Sequence, residues 1–297
     1  MNFRIVSEST CDFSEQMLAK ISELEILPME IIVDGRPYQY HAADPSKSDI
    51  SLKKFYEFLR SGLYSSTSQI NPIIYYEQFE KILSRGEDLL YICFSSGLSS
   101  TYQTAKGVLD ELAVKYPDRR ITIIDSLCAC SGQAILVSEA AVLQQEGKSF
   151  DEIVRWVEES KMKMNHWFVA DSFRHLKNGG RVSAPVAAIG ATLNIKPIIF
   201  VDGEGHTTVS NVPRGKKRAQ NMLLDYFEEF WDPSFSKKVL VGHSDELGNA
   251  DMVKELVLSR FPEAEIEYFE VGPIIGSHTG PGISGLIYWG KARYEKD

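Results

Sequence analysis

The run Leu89-Leu90-Tyr91-Ile92-Cys93-Phe94 is apolar at every position. A strand built from it must be covered on both faces, the condition of an interior strand in a parallel sheet. The next segments fit that demand. Ala105, Val108, Leu109 and Leu112 recur at i, i+3, i+4 and i+7, one face of a helix, and Ile121-Thr122-Ile123-Ile124 reads as the next strand. Strand, helix and strand in this order imply a parallel α/β sheet with right-handed crossovers. Ligands of such sheets gather at the carboxyl ends of the strands. Upstream, Phe3-Arg4-Ile5-Val6 opens as a short strand and Ser14 is placed to cap a helix. Ile26 to Val33 reads as one apolar strand closed by the turn signal Asp34-Gly35, and helices are expected over 52–59, 75–83 and 133–145.

The second half mixes its elements differently. Trp167 to Ala170 and Lys196 to Val201 are strand candidates, separated by a glycine-rich loop and a helix of small residues from Ala184 to Leu193. Met222, Leu223, Tyr226, Phe227 and Phe230 mark one face of a long helix. Val239 to Val241, a helix near Met252 to Leu258 and Ala264 to Phe269 form a further strand-helix-strand unit. Gly272 to Gly290 is rich in glycine and ends in a strand-like run. A chain of 297 residues exceeds one small core and suits two compact domains. The expected division is an α/β domain over 1–163 and a second α/β domain over 164–297.

Composition removes several classes of function. The net charge of -9 opposes a nucleic-acid role, since a phosphate backbone selects a basic face. The start carries no apolar run of signal-peptide length, and no run approaches the roughly 18 residues of a membrane helix. A cytoplasmic protein without a transmembrane segment is expected. Cys11, Cys93, Cys128 and Cys130 suit neither a disulfide framework nor zinc, because Cys128 and Cys130 lack a second pair or a nearby histidine. No metal or other cofactor is expected. The phosphate loop G-x-x-x-x-G-K-[ST], the zinc motif H-E-x-x-H and the esterase elbow G-x-S-x-G are all missing.

Four clusters have the residue types that chemistry needs. Ser66-Thr67-Ser68-Gln69 reads as a hydroxyl-rich loop. Ser95-Ser96-Gly97-Leu98-Ser99-Ser100-Thr101 lies between a buried strand and a helix whose dipole favours an anion, with Ser99 expected as the cap. In Gly179-Gly180-Arg181-Val182-Ser183 the glycines permit a tight turn that aims Arg181, and Ser183 is placed to cap the next helix. The segment from Gly272 to Gly282 surrounds His278 with glycine and reads as a loop shaped for close approach to a ligand. Separately, Arg214, Lys216, Lys217 and Arg218 crowd the start of a helix, where positive charge opposes the macrodipole. Each cluster has a structural explanation too: caps, turns, a buried histidine, a solvated basic face.

Taken in order, these stretches resemble the DegV family across nearly the whole chain. The resemblance runs from Ser9-Thr10-Cys11-Asp12 through Thr67-Ser68-Gln69, Ser95-Ser96-Gly97-Leu98-Ser99 and Asp125-Ser126. It continues through Gly179-Gly180-Arg181-Val182-Ser183, Asn194-Ile195-Lys196-Pro197 and Asp202-Gly203 to Gly276-Ser277-His278-Thr279-Gly280-Pro281-Gly282. Three positions depart from the family pattern: Glu8 replaces an aspartate, Ile70 a proline and Ser100 a glycine.

The resemblance implies an N-terminal Rossmann-like domain with a parallel sheet. The C-terminal α/β domain would resemble dihydroxyacetone kinase substrate domains, with a long-chain fatty acid bound between the two. It further implies a lipid-binding subunit with no catalysis of its own, which presents the carboxylate to a separate ATP-dependent fatty acid kinase. Thr67 and the Ser95-Ser96 pair would hydrogen-bond the carboxylate, Ser96 being favoured over Ser95, with His278 beside it. Arg181, Arg214 and Lys217 would face the kinase partner. Two other readings stay open: a phosphotransfer enzyme of the dihydroxyacetone kinase kind using His278 covalently, and a lipid-sensing regulator.

Overall fold

The computed structural model describes residues 2–21, 24–182 and 194–293. Ser183 and the helix expected from Ala184 to Leu193 lie outside them. Among the described residues the strands form three sheets. The first is wholly parallel, in the order β2-β1-β6-β7, from β1 (Phe3–Glu8), β2 (Glu25–Leu27), β6 (Asp88–Cys93) and β7 (Ile121–Asp125). β6 is interior and buried at all of its positions, as its unbroken apolar run requires.

Two expectations near the start are corrected. Ile26 to Val33 is not one strand. Pro28 has no N–H to give a ladder, and the chain there leaves the parallel sheet for a small antiparallel one. That second sheet has the order β4-β3-β5, from β3 (Met29–Val33), β4 (Arg36–Tyr40) and β5 (Ser65–Ser68). Asp34 and Gly35 join β3 to β4 with φ of 51° and 72°, the left-handed pair of a two-residue hairpin turn. Thr67 and Ser68 belong to β5 rather than to a loop, with Thr67 opposite Ile31.

The third sheet has the order β10-β9-β8-β13-β11-β12, from β8 (Met164–Val169), β9 (Ile198–Val201), β10 (Thr207–Asn211), β11 (Lys238–His243), β12 (Glu265–Glu270) and β13 (Ser284–Trp289). β11 and β12 pair in parallel across a helical crossover, as the strand-helix-strand reading expected, and the other pairings are antiparallel. The parallel sheet's last strand ends at Asp125 and the six-stranded sheet's first begins at Met164.

Ten α-helices pack around these sheets among the described residues: α1 (Glu15–Leu18), α2 (Leu52–Arg60), α3 (Pro72–Leu83), α4 (Thr101–Lys115), α5 (Cys130–Gln145), α6 (Phe150–Ser160), α7 (Phe173–Gly179), α8 (Lys216–Phe230), α9 (Leu247–Arg260) and α10 (Pro273–Thr279). Ser14 caps α1 as its position suggested, accepting from the Met17 N–H. The expected cap of α4 is displaced by one residue. Ser100 holds that position without a side-chain bond, while Ser99 Oγ accepts from the Thr101 N–H. The Gly272–Gly282 segment is not a plain loop. Pro273 starts α10 and Gly280, at φ 77°, ends it, so His278 rides on a helix.

Helix α5 joins the two larger sheets. Its first nine residues, Cys130 to Ser138, are all buried, and it packs on β1 from one sheet and on β8 and β13 from the other. A helix covered all round must be thin where sheets press on it. Ser131, Gly132, Ala134 and Ala140 provide that thinness. One apolar core therefore runs from Ile5 and Leu90 through Leu136 to Phe168, Leu240 and Ile287.

Candidate functional site

Beyond the carboxyl end of β6 lies a cavity with about 100 Å³ open to the centres of water molecules. Its wall is mainly aliphatic and aromatic. Met29, Phe94 and Leu98 come from the first half of the chain, and Phe168, Ile199 and Ile274 from the second. The place is the one a parallel sheet predisposes. Its polar lining includes Thr67, Arg181 and His278, three residues expected from sequence to carry function.

His278 is brought there by close backbone packing. A Cβ on Gly179 would stand 2.8 Å from the His278 Cα, so only glycine lets the end of α7 meet α10. Gly180 follows at φ 64°, ends α7 and turns the chain out to Arg181. The two adjacent glycines thus have separate tasks. Across the cavity edge, β5 is stitched to α10 by Ser65 and Ser277, whose hydroxyls are 2.7 Å apart, and by Thr67 and His278. The His278 ring has Nε2 3.0 Å from Thr67 Oγ1 and Nδ1 3.3 Å from the Gly179 carbonyl.

The electrostatics of this ring follow from its place. Burial, and then the Arg181 guanidinium, push the His278 pKa down from 6.5 to about 4, against the Gly179 carbonyl, which favours the charged form. The ring is neutral at pH 7. A carbonyl only accepts, so the ring proton sits on Nδ1. Nε2 is then an acceptor, and the Thr67 hydroxyl donates to it. Because the folded pKa is depressed, stability that depends on the neutral ring is complete above about pH 6.5 and is lost as pH falls towards about 4. Long-range proton–nitrogen NMR of the ligand-free protein is expected to show the Nδ1–H tautomer and a midpoint near 4. A midpoint at the ordinary value would contradict the arrangement.

Ser95 and Ser96 stand elsewhere. The Ser95 hydroxyl is buried and donates to the Gly205 carbonyl at 2.7 Å, while also accepting from the Gly97 N–H. It staples the β6–α4 loop to the turn before β10. Ser96 presents its N–H to Asp125 Oδ1 at 3.1 Å. Neither is part of the described cavity wall. Ser99 and Thr101 are, with hydroxyls 2.8 Å apart. They belong to the cluster singled out in the sequence, but nothing in its spacing tells which hydroxyl turns inward.

Thr10 and Cys130 also line the cavity, and sequence reasoning gave neither a place in the site. Thr10 Oγ1 lies 3.0 Å from Glu8 Oε1 and 2.8 Å from Gln133 Oε1. Glu8 is fully buried, and burial raises its pKa despite donors from Tyr91, Gln133, the Phe94 N–H and Thr10. The Cys130 thiol donates to Asp12 Oδ2 at 2.8 Å, and burial pushes the Asp12 carboxyl up to about 7. Burial also raises all four thiols, Cys128 to about 11 and the others well above their ordinary range, so none is a ready nucleophile.

The basic cluster is apart from the cavity. Arg214, Lys217 and Arg218 are exposed at the start of α8 around a shallow depression that includes Asn221. Lys216 is turned aside onto Asn249 and Glu246. Among the described residues no group of three or more His, Cys, Asp or Glu is placed to hold a metal, and no helix is long and apolar enough to cross a membrane.

The chain matches the sequence model of the DegV family of uncharacterised proteins over residues 2–291. A DegV domain-containing protein of Clostridium perfringens is 36% identical over 291 residues, which are 98% of each chain. In structure, the fatty acid binding DegV family protein SAG1342 of Streptococcus agalactiae superposes with a TM-score of 0.83 at 23% identity, over 97% of this chain and 99% of that one. The Streptococcus pneumoniae Fatty Acid Kinase (Fak) B3 protein loaded with linoleic acid superposes with a TM-score of 0.82 at 20% identity, over 97% and 99%.

Proposed function

Because the chain belongs to the DegV family, we propose that it binds one long-chain fatty acid and presents its carboxylate to a separate ATP-dependent kinase. The cavity is the observation that carries this reading: its wall is apolar, drawn from both halves of the chain, and edged by Thr67 and His278. The division of the chain at residue 163 belongs to the same reading, with the lipid between the parts. The names of the Streptococcus agalactiae and Streptococcus pneumoniae proteins support it.

The physics suits a fatty acid. Each buried methylene contributes roughly 0.8 kcal/mol, so the tail dominates affinity. The head group then decides identity, because a buried carboxylate without donors is costly. In this reading Thr67, His278 and the Ser99–Thr101 pair surround the carboxylate, and Ser95 fixes the loop that carries the pair. Arg214 and Lys217 offer the kinase partner an exposed basic surface. A covalent role for His278 is disfavoured, since the Nε2 lone pair is occupied by the Thr67 hydroxyl.

Organic extraction of the purified protein followed by mass spectrometry tests the reading. A fatty acid at about one chain per protein is expected, and reloading after lipid removal should restore it. Absence of fatty acid in both samples would end the case.

A further inference from the structure

We infer that Phe168 is the stop that sets the longest acyl chain the cavity admits, because its ring fills a trough floored by glycine in the six-stranded sheet. The inference rests on the fatty-acid reading and deepens it from a class of ligand to a chain length. It begins with a register. Val209, Ile199, Phe168, Gly285, Gly242 and Phe269 stand opposite one another across β10, β9, β8, β13, β11 and β12. Residues paired in this way share one face of a sheet, here the face turned to the core around Leu90 and Leu136. Glycine inside a strand has no side chain to pack and marks the close approach of another group. Two of them side by side leave a trough about 10 Å across, two strand spacings.

Both walls of the trough lean into it. A Cβ on Gly285 would stand 2.8 Å from Phe168 Cε1 and closer still to Cδ1, so the Phe168 ring lies over Gly285. A Cβ on Gly242 would stand 2.5 Å from Phe269 Cε1 and closer still to Cζ. The two rings differ in what they face. Phe168 lines the cavity and Phe269 does not. From the strands of this sheet the cavity wall takes residues of β10, β9 and β8, and none of β13, β11 or β12. Ile283 and Val271, just outside β13 and β12, close the wall at the strand ends. A tail crossing the sheet from β10 therefore meets the Phe168 ring last, and the next floor it needs is the one that ring covers. Truncating Phe168 uncovers Gly285, one strand spacing of about 4.8 Å or room for roughly four methylenes. Phe269 keeps Gly242 covered.

The test loads delipidated protein from an equimolar mixture of even saturated acids, dodecanoic to docosanoic, and reads the bound acids by mass spectrometry. Wild type, Phe168→Ala, Phe168→Leu and Ile199→Ala are compared. Wild type should show a sharp upper limit of length. Phe168→Ala should move the most abundant bound acid about four carbons longer, the room over one strand spacing. Phe168→Leu should move it the same way by less, which keeps the test open if the alanine variant does not fold. Ile199→Ala removes apolar contact from the same wall on β9 and should leave the preferred length unchanged. Protein that binds acid with the same preferred length in wild type and both Phe168 variants overturns the assignment and leaves the fatty-acid reading standing. An equal shift in Ile199→Ala also overturns it, as the mark of added room anywhere in the cavity. Wild type that takes up no acid of the mixture defeats both.

Discussion

Shortening the ligand from palmitic to dodecanoic acid is expected to weaken binding by on the order of a hundredfold, or roughly 3 kcal/mol for four methylenes. The two acids have the same head group, so contacts to Thr67 and His278 cancel in the comparison. What remains is the burial of hydrocarbon against Met29, Phe168, Ile199 and the other apolar wall residues. Calorimetric titration of delipidated protein, with both acids below their micelle concentrations, reads the difference directly. Affinities within threefold of each other would mean that the tail is not enclosed, and the proposed site would fall.

Gly132→Ala is expected to destabilise the protein by about 3 kcal/mol or more, at the upper end of what overpacking costs, and to lower Tm by on the order of 5–10 °C. An added Cβ would stand 2.7 Å from two carbons of the buried His166 ring and closer still to Nε2. Neither side has room to yield. Gly132 is on the fully covered turn of α5, and His166 lies within β8 at the middle of the six-stranded sheet. His166 is also held neutral by burial and then by Arg293, so it cannot escape by taking a charge. The double variant with His166→Ala should recover much of the loss. Gly107→Ala is the control: nothing stands within 4 Å of its Cβ on α4, and alanine there should stabilise by up to about 1 kcal/mol. Equal melting curves for Gly132→Ala and wild type would refute the packing argument.

The parts of the fold legible in sequence were those dictated by local pattern. β6 is interior because nothing polar interrupts Leu89 to Phe94, and α4 and α8 follow their apolar stripes. The misreadings share a cause. β5 has the composition of a loop, and only pairing with β3 makes it a strand. α10 is short and begins and ends in glycine and proline, so its helix comes from packing against β3, β5 and α7 rather than from propensity.

The candidate site divides the same way. Residue types singled out the runs around His278, Thr67 and the doubled glycine before Arg181 as candidates, but caps, a tight turn and a buried histidine explain the same residues, so the roles came from the resemblance to the family. Which hydroxyl of the cluster from Ser95 to Thr101 faces the cavity could not be marked. Ser95 is claimed by the Gly205 carbonyl, a residue 110 positions away. Family, fold class and the list of candidates were written in the order of residues along the chain. The direction of each side chain, the proton arrangement on His278 and the placing of Arg181 beside it depend on contacts between distant segments. Such contacts exist only once the two larger sheets have closed on α5, since a hydrogen bond is made by atoms a few ångströms apart and not by neighbours in sequence.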